Sequence, residues 1–320
     1  PYLISSASVV GKKEGAGPIG EMFDLVGESD LFGENTWEEA ESTMQREACL
    51  LAMGKAHVSQ NQVRYLFGGD LLRQGIATSM EKLQIPMFGL YGACSTSGEA
   101  LALASMSVAA GYGEYILAVT SSHFGSAEKE FRFPLSYANQ RPLSAHWTVT
   151  GSGAFLVGKK ESHVRISGLT VGKIVDYGLK DSQNMGACMA PAACDTIWQN
   201  LQDFGRSPED YSRIITGDLG YVGQSILFDL LLEKGYDIRG KHLDCGMTIF
   251  DQQTQDTHAG GSGCGCAATV LSAYILPKIE RGEWERVLFV PTGALMSTVS
   301  YNEGASVPGI AHAIVLEHEA

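Results

Sequence analysis

Basic residues are scarce in this sequence. Its 320 residues hold 23 lysines and arginines against 36 aspartates and glutamates, a formal charge of −13. Nucleic acid and anionic membrane surfaces call for clustered Lys and Arg, so neither is expected as a partner. Docking to a strongly acidic protein is disfavoured for the same reason. Long apolar runs are missing too, and no stretch reaches the roughly 18–20 apolar residues that span a bilayer. Nor is there a basic or amphipathic anchor. The cysteines, seven in number at 49, 94, 188, 194, 245, 264 and 266, are odd in count and scattered. They read as reduced intracellular thiols, not as a disulfide framework. Cys264 and Cys266 sit too close for a zinc pair of the C-x2-C type, and no His pair accompanies them. The chain opens Pro1-Tyr2-Leu3 without an initiator Met or a charged-then-apolar leader, so its start reads as trimmed.

What is present describes a globular α/β protein. Hydrophobic residues make up 44% and charged residues 18%, enough apolar material to bury a core over the length of two ordinary domains. The two halves echo each other in order. "YLISSASVV" at 2–10 and "VRISGLTVG" at 164–172 are matching strand openers. A helix follows in each: Thr36 and Glu39 form a capping box before "AESTMQREACLLAMGKA", while Pro191 opens "AACDTIWQNLQDF" and Gly205 closes it. Next come the buried strands "QVRYLFGGDLL" at 62–72 and "YSRIITGDLG" at 211–220, then Gly/Ser/Cys-rich turns that open small-residue helices. A further pair of strands, at 115–122 and 286–294, and a last pair, at 150–157 and 309–317, complete the repeat. Repeated order of this kind predicts two similar α/β domains with packed sheets, 1–160 and 161–320, joined at "GKKESH".

The duplicated layout, "GACSTS" opening the central helix, and "TGSGAFLV" resemble the thiolase and ketoacyl-synthase superfamily of condensing enzymes. More closely, "GDLL", "FGLYGACSTS", "TVTGSGA", "ACMAPAACDTI" and "HAGGSGCGC" are similar to the SpoVAD family, stage V sporulation protein AD. The superfamily implies a five-layer α-β-α-β-α fold. The closer family implies binding of dipicolinic acid (pyridine-2,6-dicarboxylic acid), with the calcium chelate open as the bound form, and uptake of that acid into the developing spore. The superfamily also implies a homodimer, and the closer family implies association with other SpoVA-type membrane proteins and a location at the spore inner membrane.

A condensing enzyme needs a thiolate, an oxyanion hole and two further polar groups, two His or a His and an Asn. Cys94 matches the nucleophile, and a helix N-terminus would lower its pKa. The partners fit less well. Asp218, in "TGDLG", falls at or beside an expected imidazole, where an ionised carboxylate opposes a thiolate. In "THAGGSGCGCAAT" two alignments are open: Cys264 in place of an Asn, or His258 in place of a His. The reading is therefore a non-catalytic pocket, with an active Cys-dependent condensing enzyme as the alternative. Candidate ligand residues are Cys94, Ser95 and Thr96 at the helix start, and Asp70 and Asp218 as strand-end carboxylates for calcium. His123, Arg132, His258 and Cys264 complete the set, with Lys129 expected in solvent and His146 expected to be structural. No cofactor and no protein-bound metal are expected. The strand "EYILAVTSS" is the expected dimer contact.

Overall fold

The computed structural model describes residues 1–73, 80–131 and 140–320. In the first half β1 (Tyr2–Val10) leads to α1 (Trp37–Lys55), β2 (Val63–Asp70), β3 (Met87–Leu90) and α2 (Thr96–Ala109). These are followed by β4 (Tyr115–Ser122), α3 (Phe124–Phe131) and β5 (Gly151–Gly158). The second half holds β6 (Val164–Val171), α4 (Met185–Asp203), β7 (Arg213–Thr216), α5 (Gly220–Glu233) and β8 (His242–Asp244). It ends with α6 (Cys264–Val270), β9 (Arg286–Val290) and β10 (Gly309–His318).

The strands lie in the order β8-β7-β9-β10-β6-β1-β5-β4-β2-β3. Read outward from the middle, β1-β5-β4-β2-β3 mirrors β6-β10-β9-β7-β8 element for element. Among the described residues the two halves' sheets join at one antiparallel pair, Tyr2 opposite Arg165. Alternating and fully apolar strand patterns thus found the same slots in both halves. Between the halves lie α2 and α6. Helix α2 packs on β4 and β2 of its own half and on β10 of the other, while α6 packs on β4 and β5. Helix α1 covers β1 and β5 on one outer side, and α4 covers β10 on the other. The result is helix, sheet, central helices, sheet, helix, the five layers expected.

Small residues make the central layer possible. A Cβ on Gly153 would stand 2.7 Å from the Ala268 backbone, so β5 and α6 approach as closely as bare backbone permits. Helix α6 runs on through a wide turn at Leu271–Ile275 into Leu276–Glu280. Pro277 explains that turn, because it has no N–H to offer the carbonyl four residues back.

Local signals held in part. Glu39 N–H donates to the Thr36 hydroxyl over 3.2 Å, the expected cap of α1. Gly205 takes φ 59° after α4, and the Arg206 N–H closes on Leu201 O at 2.9 Å, a left-handed helix end that glycine suits best. Pro191 does not open α4, however. The helix starts six residues earlier at Met185, capped by Asn184, whose side chain accepts from Ala187 N at 3.3 Å. An asparagine cap outcompeted the proline as start signal. The strand "EYILAVTSS" is likewise not a free edge. It forms β4, hydrogen-bonded on both sides to β2 and β5, and its apolar character comes from being buried on both faces. Among the described residues the first half's outermost strand is β3.

Candidate functional site at the start of the central helix

Cys94 sits in a tight turn. Ala93 takes the left-handed conformation at φ 50°, uncommon without glycine, and the reversal sets Cys94 at the start of α2. The turn is tied internally. The Ser95 hydroxyl donates to Gly92 O at 2.6 Å, the Thr96 hydroxyl donates to Ala93 O at 2.7 Å, and Gly92 N–H donates to Thr96 Oγ1 at 2.9 Å. Both hydroxyl groups therefore hold the turn in shape, a correction to the expectation that they add donors to a ligand.

Above Cys94 lies a cavity of about 30 Å³, room for a water molecule or two. Its wall includes Tyr91, Phe131, His146, Gln183, Ser262 and Met296, taken from both halves. No Asp, Glu, Lys or Arg among the described residues lines it.

Asp218 lies beneath. It is fully buried, its Oδ1 accepts the Thr292 hydroxyl at 2.7 Å, and its Oδ2 accepts Gly263 N–H at 2.9 Å. The Cys94 thiol lies close to the same carboxylate. Burial pushes Asp218 up to about 7, against the pull of the Gly263 and Thr292 donors. Cys94 is pushed well above the ordinary thiol value, first by burial, then by the neighbouring Asp218 charge. A thiolate here would face a carboxylate in a dry site, so the helix start does not activate this thiol.

Asp244 holds the turn that places Asp218. One oxygen accepts the Thr216 hydroxyl at 2.6 Å and Leu219 N–H at 2.9 Å, and the other accepts Gly220 N–H at 3.2 Å. Sequence reading missed it, since an Asp before a helix looks like any other cap.

The remaining candidates scatter. Cys264 is fully buried, packs against Cys94, Leu71 and Ala127, and donates its thiol to Ser121 O at 2.8 Å. Asp70 is fully buried and accepts Leu72 N–H at 2.9 Å. It stands near Glu41, which burial and the Asp70 charge push up to about 8. Neither Asp70 nor Asp218 lines the cavity, and among the described residues no group of His, Cys, Asp and Glu is placed to hold a metal ion. The expectation of carboxylates facing the pocket for calcium is corrected accordingly. His123 accepts from Gly125 N–H at Nδ1 over 3.0 Å, so its Nε2 carries the proton donated to Asp30 O at 2.7 Å. Its ring stacks on Trp37 and stays off the cavity wall. His258 is also off that wall, with Nδ1 2.9 Å from Pro142 O and Nε2 3.1 Å from Asp256 Oδ1. Lys129 pairs with Glu38 at 2.8 Å. Arg132 lies outside the described residues. Cys188, Cys194 and Cys245 are buried in the core.

His146, read from sequence as structural, is the imidazole the structure does bring to the cavity, with Nε2 3.3 Å from Leu219 O. A short parallel ladder between Trp147–Thr148 and Gly261–Ser262 places it there. That pairing joins segments too far apart in sequence for any local signal to announce it.

Comparison with known proteins identifies the family and the fold. A family model described as stage V sporulation protein AD (SpoVAD) matches residues 1–317. Stage V sporulation protein AD of Bacillus subtilis (strain 168) is 40% identical over 320 residues, covering 99% of this chain and 94% of that protein. Among solved structures, 3-oxoacyl-[acyl-carrier-protein] synthase III from Aquifex aeolicus VF5 is similar with a TM-score of 0.62 at 15% identity, covering 99% of each chain. Cerulenin-bound OleA of Xanthomonas campestris gives 0.64 at 12%, covering 99% of this chain and 98% of that one. Identities so low speak for the fold alone, which is that of the thiolase-like condensing enzymes. The whole-length family match and the 40% identity carry the assignment: the chain belongs to the stage V sporulation protein AD family.

Proposed function

We propose that this chain binds dipicolinate without covalent chemistry in the cavity above Cys94, and so supports uptake of the acid into the developing spore. The observation that carries the reading is the burial of Cys94 close beside the Asp218 carboxylate, which keeps the would-be nucleophile protonated. An imidazole beside the thiol, cationic once it has taken the proton, would do the reverse. The wall also suits the ligand class: aromatic faces from Tyr91 and Phe131, with Gln183, His146 and Ser262 as polar contacts. A ring with two carboxylates is larger than the closed cavity. Met185 and Met296, both on the wall, are the flexible thioethers whose movement makes room. Calcium, where it accompanies the ligand, is held by the ligand's own oxygens. Titration calorimetry with dipicolinate, with and without calcium, tests the reading, and no heat at millimolar ligand overturns it.

One observation favours a second reading. The Ala93 turn that presents Cys94 is intact, as an acyl-transfer enzyme using acyl-CoA or an acyl carrier requires. Incubation with acyl-CoA followed by mass spectrometry separates the two, since a stable adduct lost in Cys94→Ala, with turnover, establishes the enzyme.

The homodimer is proposed through β3. It is the outermost strand of its half, and Phe88 on it is 56% exposed beside an apolar groove formed with Tyr65, Phe67, Leu90 and Tyr112. A second copy pairing there covers both the open edge and the groove. No helix among the described residues is long and apolar enough to cross a membrane. Contact with SpoVA-type proteins at the spore inner membrane is accordingly proposed as peripheral.

A further inference from the structure

A second cavity, of about 360 Å³, adjoins the first and shares Tyr91 and Met296 with it. Its wall adds Arg73, Glu130, Ser297 and Val299. Two side chains thus stand between an outer chamber of ligand size and the small inner space above Cys94. The inner wall carries no formal charge among the described residues, whereas the outer wall carries one cation. Arg73 places its guanidinium 4.7 Å from the centre of the Tyr91 ring and makes no ion pair among the described residues. Its backbone adopts the left-handed conformation at φ 66°, which a non-glycine residue takes at a cost.

These facts fit together chemically. A dicarboxylate seated inward with one end above Cys94 leaves its other carboxylate facing the outer chamber. A guanidinium binds a carboxylate through two parallel charge-assisted hydrogen bonds, a stronger contact than an exposed cation over a phenol ring. Exchanging one for the other is favourable and uncovers an aromatic face. Resting on the reading of the inner cavity as a dicarboxylate site, we propose that Arg73 and Tyr91 are its specificity-determining pair. Arg73 takes the outward carboxylate, and Tyr91 stacks on the ligand ring. Glu130, an anion on the same chamber wall, opposes the incoming charge and sharpens the requirement for Arg73.

The test is calorimetric titration of the full chain with dipicolinate and with picolinate, which lacks one carboxylate. The wild-type protein, Arg73→Gln, Arg73→Lys, Tyr91→Phe and Glu130→Gln are compared, with thermal melts as a folding control. Both charged positions are exposed, so their substitution removes no buried packing. Loss of a charge-assisted contact predicts that Arg73→Gln weakens dipicolinate about tenfold to a hundredfold. The wild-type preference for dipicolinate over picolinate collapses with it. Arg73→Lys restores part of the affinity, Tyr91→Phe, which retains the stacking ring, weakens it far less than Arg73→Gln, and Glu130→Gln tightens binding. If wild type binds dipicolinate and Arg73→Gln leaves affinity and preference unchanged, the pair is overturned while the inner site stands. If wild type binds neither acid, the reading of the inner cavity falls first and takes the pair with it.

Discussion

The Cys94 thiol lies close to the Asp218 carboxylate, and both groups are buried. Burial and that neighbouring charge together turn a helix start that would otherwise sharpen a nucleophile into a place where a thiol stays protonated. The partners of Asp218 fix its direction: Thr292 and Gly263 hold its two oxygens, so it cannot swing away from the sulfur without losing both.

Removing the charge should therefore wake the thiol. Asp218→Asn is expected to raise the rate of Cys94 alkylation by iodoacetamide at pH 8 by about tenfold, the effect of lowering a thiol pKa by one unit. Peptide mass spectrometry locates the label. An unchanged rate would mean that burial alone sets the reactivity.

Stability should fall as pH rises through the neutral range. Glu14 and Glu41 are raised by burial to about 8, and Asp218 to about 7. Below about 6.5 the buried His242, His123 and His312, all lowered by desolvation, oppose this trend. Between about 6.5 and 8 the folded chain keeps carboxyl protons that the unfolded chain has released, which makes the slope of stability against pH negative. Melting temperature is expected to be higher at pH 6.5 than at pH 8, with each shifted pKa unit carrying about 1.4 kcal/mol. Glu41→Gln should flatten the curve, since a neutral amide replaces a group that is neutral when folded. A flat wild-type profile contradicts this account.

The end of α4 offers a backbone test. Nothing lies within 4 Å of a Cβ placed on Gly205, which sits at φ 59°. Gly205→Ala should then cost about 1 kcal/mol through conformation alone, and Gly205→Asn less. Urea unfolding with an unchanged slope reads the difference directly.

The open edge gives a fourth expectation. Phe88→Arg puts a charge on the exposed face of β3, and sedimentation should show a dimer reduced to monomer with little change in melting temperature. A wild-type monomer at micromolar concentration removes the proposed interface.

Much of this architecture was legible in the residues. Strands such as "YLISSASVV" and "VRISGLTVG" announced themselves because burial selects β-branched and apolar side chains wherever the slot is the same. Asp218 was legible as a misfit to the condensing-enzyme pattern, and the structure puts it against Cys94. Strand order was harder to read. An interior strand and an apolar edge look alike in sequence, so β4 passed for a dimer contact when β3 holds the edge. The histidines were the weakest point. His123 and His258 looked available near glycine-rich turns, yet each spends its ring nitrogens on backbone carbonyls or neighbours. His146 reaches the cavity through a ladder that no local pattern encodes. Asp70 proved to be a turn holder beside Glu41, a pairing visible only once β2 and α1 are brought together.

The seam between the halves carries a mechanical consequence. Among the described residues only Tyr2 and Arg165 pair β1 with β6, so the mirrored sheets depend on the central layer to hold them in register. The wall above Cys94 takes Tyr91 and His146 from one half and Gln183 and Met296 from the other. Whatever fills that space touches both halves at once. Its grip should show as slower amide exchange in both sheets at once, far from any atom it touches.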